Sequence, residues 1–269
     1  MFGAKVTLKM YVRAKKSLGQ HFLTDEGIAK AIVESLRPAE VPSDVLEIGP
    51  GTGVLTKYLL QREDIKLKMV EVDGEAVEYL RNHFPGVQGK LLQEDFLKMN
   101  LEKVFEGNFL VIGNLPYNIS SQIFFKILQH RDRVPQAVCM VQKEVAERIA
   151  EKPGTKTYGI LSVLLQAWYD IEYLFTVGPG AFAPPPKVQS AVIRLHRNER
   201  KSLGVDETLF KSIVKLSFNQ RRKTLRNSLK SILEGCGADK SDPVFDLRPE
   251  KLSVEDFISL TRLLSQPGQ

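Results

Sequence analysis

The chain has 269 residues, of which 43% are hydrophobic and 26% are charged, and its net charge is +6. This composition is typical of a folded globular protein and excludes a disordered chain, which would have fewer apolar residues and a larger charge. The longest apolar stretches are far shorter than the roughly 20 residues of a bilayer span, and no cleavable leader precedes them, so we expect a soluble, cytoplasmic protein. The two cysteines lack CxxC spacing and the four histidines are scattered, so no metal site is predicted.

Apolar runs alternate with helical patterns over the first 200 residues. The helical patterns lie at 54–61, 75–83, 120–129, 143–150 and 160–168. The apolar runs predict seven strands, at 45–48, 67–72, 87–91, 109–112, 137–141, 171–177 and 188–195. This alternation predicts an α/β fold with a Rossmann-like, mostly parallel sheet. The last two runs have no helix between them, so we expect them to pair antiparallel at one edge.

Beyond about residue 200 the pattern becomes entirely helical. Helices are predicted at 210–218, 222–233 and 254–264, and Ser253 with Asp256 forms a plausible cap for the last one. We therefore predict two domains, a sheet domain over residues 1–201 and a small all-α domain over residues 202–269.

A glycine-rich turn follows the first predicted strand in the sequence VLEIGPGTG, with Gly49, Gly51 and Gly53 at alternate positions. Glycines let the backbone turn sharply and approach a ligand closely, although a tight strand-to-helix turn alone would also explain them. Glu71 follows about twenty residues later, where an acidic side chain can accept both hydroxyls of a ribose. Asp95, with Phe96 beside it, follows the third strand and is a candidate adenine contact.

The spacing of the turn indicates which nucleotide-like ligand to expect. It is GxGxG, whereas the dinucleotide fingerprint is GxGxxG, so a pyrophosphate on the helix N-terminus is disfavoured. S-adenosylmethionine has no phosphate and needs ribose and adenine contacts, which Glu71, Asp95 and Phe96 supply. Each carboxylate alone would be interpreted as a solvated strand end, but together they favour this cofactor.

The fourth strand ends in GNLPYN, residues 113–118. Methylation of an adenine N6 amine requires acceptors that align its lone pair with the methyl donor, and the Asn114 side-chain oxygen and the Leu115 carbonyl can both accept from that amine. Pro116 fixes the turn, and Tyr117 offers a stacking face for an unstacked base. The alternative is an ordinary β-turn with a tyrosine covering the edge of the core.

Several motifs together resemble the KsgA-type ribosomal RNA adenine dimethyltransferase family over nearly the whole chain. They are KKSLGQHFL (15–23), VLEIGPGTGVLT (45–56), EVD (71–73), QEDF (93–96), GNLPYNIS (113–120), MVQKEVAERI (140–149), GAFAPPPKVQSAVIRL (180–195) and FNQRRKTLRNSL (218–229). The resemblance implies a class I S-adenosylmethionine methyltransferase that dimethylates N6 of two adjacent adenosines near the 3′ end of small-subunit (16S) rRNA during ribosome biogenesis.

The resemblance also implies roles for individual residues. His21 and Leu23 would close over the cofactor, and Asn114 would contact both the cofactor and the target amine. Phe182 would stack on the target base opposite Tyr117. Family members commonly have Asn where this chain has His21, so we expect a backbone contact there.

Basic residues are concentrated in one window. Residues 201–230 contain eight Lys or Arg against Asp206 and Glu207, a surplus equal to the whole net charge. Within the predicted helix 222–233, three cations at i, i+4 and i+8 share one face, which alone would be interpreted as a solvated face. Five cations within residues 221–230, beside a predicted base pocket, favour phosphate contacts instead. The predicted RNA-binding residues are Arg221, Arg222, Lys223, Arg226 and Lys230.

Three classes of function remain open at this stage. The first is the small-subunit rRNA enzyme, acting as a monomer on immature small ribosomal subunits without a metal or a membrane. The second keeps the chemistry on another target, as in the macrolide-resistance methyltransferases of large-subunit rRNA or DNA adenine methyltransferases. The third is an assembly protein that has lost catalysis, which the presence of Glu71, Asp95, Asn114 and Tyr117 disfavours.

Overall fold

The structure, a computed structural model, describes residues 12–39 and 41–265. Its strands are β1 (Phe22–Leu23), β2 (Ser43–Ile48), β3 (Ile65–Glu71), β4 (Leu91–Gln93), β5 (Phe109–Asn114), β6 (Gln136–Gln142), β7 (Tyr169–Val177), β8 (Phe182–Ala183) and β9 (Ser190–Arg197). Its α-helices are α1 (Glu26–Glu34), α2 (Thr56–Leu59), α3 (Gly74–His83), α4 (Ser120–Gln129), α5 (Lys143–Ala150), α6 (Ile160–Gln166), α7 (Glu207–Asn219), α8 (Leu225–Ser228), α9 (Lys230–Leu233) and α10 (Val254–Leu264).

Seven of these strands form one sheet in the order β4-β3-β2-β5-β6-β9-β7. The pairs from β4 through β6 are parallel, and one strand of the sheet runs antiparallel. The predicted α/β class and seven-stranded sheet are therefore confirmed. The remaining strands, β1 and β8, form a separate antiparallel pair in which Leu23 faces Phe182.

The central strands are apolar on both faces, as expected for strands of a parallel sheet that is covered on both sides. In β5 every residue from Phe109 to Gly113 is buried. Gly113 is required at the end of this strand because a Cβ there would lie 2.5 Å from the backbone oxygen of Ile48. The two strands that carry the glycine turn and the GNLPYN motif thus approach each other where both motifs begin.

Two local predictions were wrong, and one helix was missed. The strand predicted at 87–91 lies at Leu91–Gln93, because Pro85–Val87 form a 3-10 turn before it. The helix predicted at 222–233 begins only after the extended residue Thr224 and is interrupted at Leu229. Helix α1 was not predicted, although Asp25 caps it by accepting from the Ile28 N–H at 2.9 Å.

The chain divides into two compact units. One contains the described residues up to Gln142 together with Leu174–Arg194, and the other contains Lys143–Tyr173 together with the described residues from Leu195 onward. In the second unit, α7 packs on α10 through Phe218 and Phe257, whose ring centroids are 5.9 Å apart. The predicted boundary near residue 201 stays a prediction.

None of the helices in the described part of the chain is long and apolar enough to cross a membrane.

Candidate active site

A cavity of about 260 Å³ lies at the carboxyl ends of β2, β3 and β5, within the first unit. Four parts of the chain line it: the segment 17–23, the glycine turn, the ends of β3 and β4, and the GNLPYN turn. The predicted site residues on its wall are His21, Leu23, Gly49, Gly51, Glu71, Asp95, Asn114, Leu115, Pro116 and Tyr117. This is the position expected for a ligand in an open α/β sheet.

The glycine turn adopts a backbone that other residues rarely reach. Gly49, Gly51 and Gly53 have φ angles of 65°, 56° and 82°. A Cβ on Gly51 would lie 2.9 Å from the ring of Phe22, which belongs to the segment that covers the turn. The turn therefore packs tightly under the N-terminal segment while it faces the cavity.

Glu71 is buried, and both of its carboxylate oxygens accept from the backbone. Oε2 accepts from the Gly51 N–H at 3.1 Å, and Oε1 accepts from the Asp73 N–H at 2.9 Å. Burial raises the pKa of Glu71 above its usual range, although these backbone hydrogen bonds oppose the rise. Each oxygen keeps a further lone pair, so the carboxylate can accept two more hydrogen bonds from a ligand that carries adjacent hydroxyls.

Glu47 is a second acid on the wall of the cavity, which the sequence analysis missed. Its side chain is 1% exposed and accepts a hydrogen bond of 2.8 Å from the Thr56 hydroxyl. Burial raises the pKa of Glu47 to about 8, and repulsion from Glu71 adds to the rise. At neutral pH the carboxyl group is therefore protonated and can donate a hydrogen bond.

Replacement of Glu47 with Gln is expected to change how stability depends on pH. A carboxyl group whose pKa rises from 4.5 to about 8 on folding stabilises the folded state most below pH 4.5, and this contribution is lost by about 1.4 kcal/mol per pH unit as pH rises towards 8. Urea unfolding between pH 5 and pH 9 should show a shallower decline in Glu47→Gln than in the wild type. Glu102→Gln, at an exposed position, is the control, and equal slopes in all three proteins would contradict the assignment.

Asn114 lies at the end of β5 with its amide orientation fixed. Its Nδ2 donates to the backbone oxygen of His21 at 3.0 Å. This bond uses one of the two amide N–H groups and fixes the orientation of the amide, and the Asn114 oxygen can act as an acceptor at the cavity wall. Leu115 follows, and its N–H donates to the Met140 oxygen at 3.0 Å, which joins the turn to β6.

Tyr117 and His21 form a stacked pair beside the cavity. Their ring centroids are 5.3 Å apart with an interplanar angle of 29°. The Tyr117 hydroxyl is hydrogen-bonded to the Ser190 hydroxyl at 2.5 Å, and the Nδ1 of His21 is 2.9 Å from the Pro184 oxygen. These contacts hold a half-buried aromatic surface next to the acceptor group of Asn114.

Two predicted site residues do not line the cavity. Phe96 is 5% exposed and lies under the Nζ of Lys126. Phe182 is 4% exposed and belongs to the core of the first unit, where it pairs with Leu23. The predicted contact of Phe96 with adenine and the stacking of Phe182 on a target base stay predictions.

The N-terminal segment is held by an acid that the sequence analysis did not assign. Asp73 accepts from Lys15 Nζ at 2.6 Å and from Gln20 Nε2 at 3.1 Å, and it also caps α3. Burial alone would raise the pKa of Asp73, but the hydrogen bonds from Lys15 and Gln20 outweigh it and lower the pKa. The cap signal was available in the sequence, because Asp73 directly precedes a helical pattern.

Val72 is a further wall residue that the sequence analysis missed. It lies between Glu71 and Asp73, and it is 53% exposed although it is apolar. Because Val72 is exposed and directly follows Glu71, the candidate ribose-binding residue, its side chain offers an apolar contact for a base.

The five predicted RNA-binding residues lie in the second unit in different environments. Arg222 and Lys223 are exposed. Arg226 forms an ion pair of 2.7 Å with Asp246, and Lys230 forms one of 3.7 Å with Glu234. Arg221 donates to the Thr155 oxygen at 3.1 Å. Because the predicted helix is interrupted, the expected stripe of three cations on one helical face is not formed.

Comparison with known proteins identifies the family. A sequence model described as ribosomal RNA adenine dimethylase matches residues 11–266. The chain belongs to this family. Within the ribosomal RNA adenine dimethylase family, it is 59% identical over 255 residues to the ribosomal RNA small subunit methyltransferase A of Parabacteroides distasonis, with 95% of each chain covered.

Two solved structures of related enzymes have a similar fold. A dimethyladenosine transferase from Plasmodium falciparum has a TM-score of 0.75 and 25% identity, covering 89% of this chain and 96% of its own. The 23S rRNA methyltransferase ErmE has a TM-score of 0.61 and 25% identity, covering 90% of this chain and 99% of its own. The family and the class I methyltransferase fold implied by the motifs are thereby confirmed.

Proposed function

We propose that this chain transfers methyl groups from S-adenosylmethionine to N6 of two adjacent adenosines near the 3′ end of small-subunit rRNA. The enzyme would act in the cytoplasm, as a monomer, on immature small ribosomal subunits during ribosome biogenesis. The observation that carries the proposal is the amide of Asn114. One of its N–H groups donates to the His21 oxygen and fixes the amide, and its oxygen can accept from an amine in the cavity that Glu71 also lines.

The residues of the cavity fit the proposed cofactor. Glu71 has acceptor capacity left for the two ribose hydroxyls, and Asp95 and Val72 lie beside it for the adenine. Gly49 and Gly51 line the cavity without a side chain, so the backbone can approach a ligand closely there. S-adenosylmethionine, when bound, supplies a methyl group on a positively charged sulfur.

The chain's own residues then have mainly a positioning role. Asn114 Oδ1 and the Leu115 carbonyl accept the two N–H groups of the adenine amine and orient its lone pair towards the methyl group. Tyr117 supports the base by stacking once the base has left its helix. The amine becomes cationic as it is methylated and releases its proton readily, so no strong general base is needed.

The alternative target is large-subunit rRNA, because ErmE, a 23S rRNA methyltransferase, has a similar fold. One observation favours the small subunit. The identity to small-subunit methyltransferase A of Parabacteroides distasonis is 59%, against 25% for ErmE, although both align with nearly the whole chain.

The deciding experiment is to incubate the protein with labelled S-adenosylmethionine and either immature small subunits or large subunits, and then to map the methylated nucleotide. We expect two adjacent dimethylated adenosines near the 3′ end of the small-subunit rRNA. Label in large-subunit rRNA would identify the alternative target. The absence of label from both RNAs, with the cofactor still bound, would support an assembly protein without catalysis.

RNA binding is proposed to depend most on the exposed cations of the second unit. Arg222 and Lys223 are exposed next to the end of α7, whereas Arg226 is occupied by Asp246 and by the Lys240 oxygen. An arginine that already neutralises an acid gains less from a phosphate than a solvated arginine does.

The Arg222→Glu, Lys223→Glu double variant should weaken binding to small-subunit rRNA. The loss of two phosphate contacts should lower the slope of log affinity against log salt by about 2. Filter binding between 50 and 300 mM KCl would measure both effects. Arg226→Gln is the matched comparison and should change the salt slope less. An unchanged slope in the double variant would show that Arg222 and Lys223 are only a solvated surface.

A further inference from the structure

Lys126 is a buried lysine in α4, the helix that directly follows the GNLPYN turn. It is 8% exposed, and its Nζ donates to the backbone oxygens of Phe96 and Met99, each at 2.5 Å. The same ammonium group lies 5.0 Å from the centroid of the Phe96 ring. A buried charge is costly unless it is fully bonded, so this lysine and its partners form a constrained unit.

The partners of Lys126 belong to the turn that carries Asp95. The Asp95 carboxylate accepts from the Leu97 N–H at 2.9 Å, and the Asp95 backbone oxygen accepts from the Met99 N–H at 2.9 Å. Asp95 thus begins one turn of chain whose carbonyl groups are held by Lys126. Asp95 and Leu97 line the cavity, whereas Phe96, between them, points into the core under the lysine.

Two opposing effects act on the charge of Lys126. Burial lowers its pKa, and the nearby carboxylates of Asp95 and Glu94 oppose this decrease only in part.

We propose that Lys126 is a positioning residue for the cofactor, which fixes Asp95 and Leu97 against the adenine by holding the Phe96 and Met99 carbonyls. This inference rests on the proposed use of S-adenosylmethionine. Because α4 starts two residues after the turn that carries Asn114 and Tyr117, Lys126 links the adenine side of the cavity to the side where the target base is proposed to bind.

The test measures the affinity of S-adenosylhomocysteine by calorimetry in Lys126→Met. The loss of a charge-assisted contact that orients the turn should weaken binding by about tenfold. The KM of the cofactor should rise by a larger factor than kcat falls, because the acceptors for the target amine are unchanged. Lys126→Arg, which keeps the charge and its donors, should recover most of the affinity.

Lys68→Met is the matched control. Lys68 also donates to a backbone oxygen, that of Val104 at 2.5 Å, and also lies 5.0 Å from a phenylalanine ring, that of Phe105. Its partners do not line the cavity, so this variant should lose stability without losing cofactor affinity. If Lys126→Met does not fold, Lys126→Gln and Lys126→Arg are compared instead, and the glutamine variant alone should bind weakly.

A second readout separates positioning from general structure. S-inosylhomocysteine has an oxygen in place of the adenine amine, so the wild type should prefer S-adenosylhomocysteine through Asp95. Lys126→Met and Asp95→Asn should each reduce this preference. In the variant that carries both substitutions, the preference should fall no further than in the more strongly affected single variant.

Two results would overturn the inference: equal affinities of Lys126→Met and Lys68→Met for S-adenosylhomocysteine, or additive effects in the double variant. These binding measurements do not depend on the RNA target. Failure of the proposed function would instead appear as normal cofactor binding by the wild type without methylation of small-subunit rRNA.

Discussion

Methyl transfer to small-subunit rRNA is expected to fall by about 10²- to 10³-fold in kcat when Asn114 is replaced by Ala. The reason is that the variant loses the acceptor that orients the target amine, and misplacement of a reacting group is costly even over small distances. It also loses the bond to the His21 oxygen, so a moderate rise in the KM of the cofactor should accompany the loss. Single-turnover kinetics with saturating rRNA and cofactor would measure the effect on chemistry.

Asn118→Ala is the matched comparison for this prediction. Asn118 also anchors the N-terminal segment, because its Nδ2 donates to the Ser17 oxygen at 3.3 Å, but it is not proposed to contact the target amine. Its loss of activity should be much smaller than that of Asn114→Ala. Near-normal single-turnover rates in Asn114→Ala would remove Asn114 from the proposed mechanism.

The affinity for S-adenosylhomocysteine is expected to fall by about 100-fold or more in Glu71→Ala, because two hydrogen bonds from ribose hydroxyls to a buried carboxylate are lost together. In the wild type the carboxylate also accepts hydrogen bonds from the N–H groups of Gly51 and Asp73. The variant loses both bonds, so the glycine turn is held less firmly. Calorimetric titration would give the change in affinity.

Glu75→Ala is the control for Glu71. Glu75 is an exposed acid at the start of α3 that pairs with Lys15 at 3.1 Å, so its removal changes the local charge without touching the cavity wall. Cofactor affinity should change little in this variant. If Glu71→Ala bound S-adenosylhomocysteine as tightly as Glu75→Ala, the ribose would have to bind elsewhere in the cavity.

The sequence was sufficient to predict the sheet and the arrangement of its edge, for a physical reason. Buried parallel strands must be continuously apolar, so runs such as the one that became β5 are visible without a structure. Polar residues at the ends of those runs, such as Glu71 and Asn114, must then meet at one edge. Their convergence on one cavity follows from topology, which the alternation of strands and helices already indicates.

The partners of the site residues could not be predicted in the same way. Lys15 and Asp73 are 58 residues apart in the chain, and no local pattern indicates that they form an ion pair. The burial of Phe96 depends on Lys126, which comes from a helix two elements away. The ion pair of Arg226 with Asp246 was not predictable either, because Asp246 is 20 residues further along the chain.

The fixed amide of Asn114 has a consequence for the end of the reaction. One of its two N–H groups is tied to the His21 oxygen, which fixes the amide, and in the proposed mechanism its oxygen receives a hydrogen from the base. An unmodified adenine has two N6 hydrogens to give, the singly methylated base has one, and the fully modified base has none. In the proposed mechanism, each round of transfer therefore removes one hydrogen bond to the Asn114 and Leu115 oxygens, so the fully methylated base keeps only its stacking on Tyr117 and is released more readily.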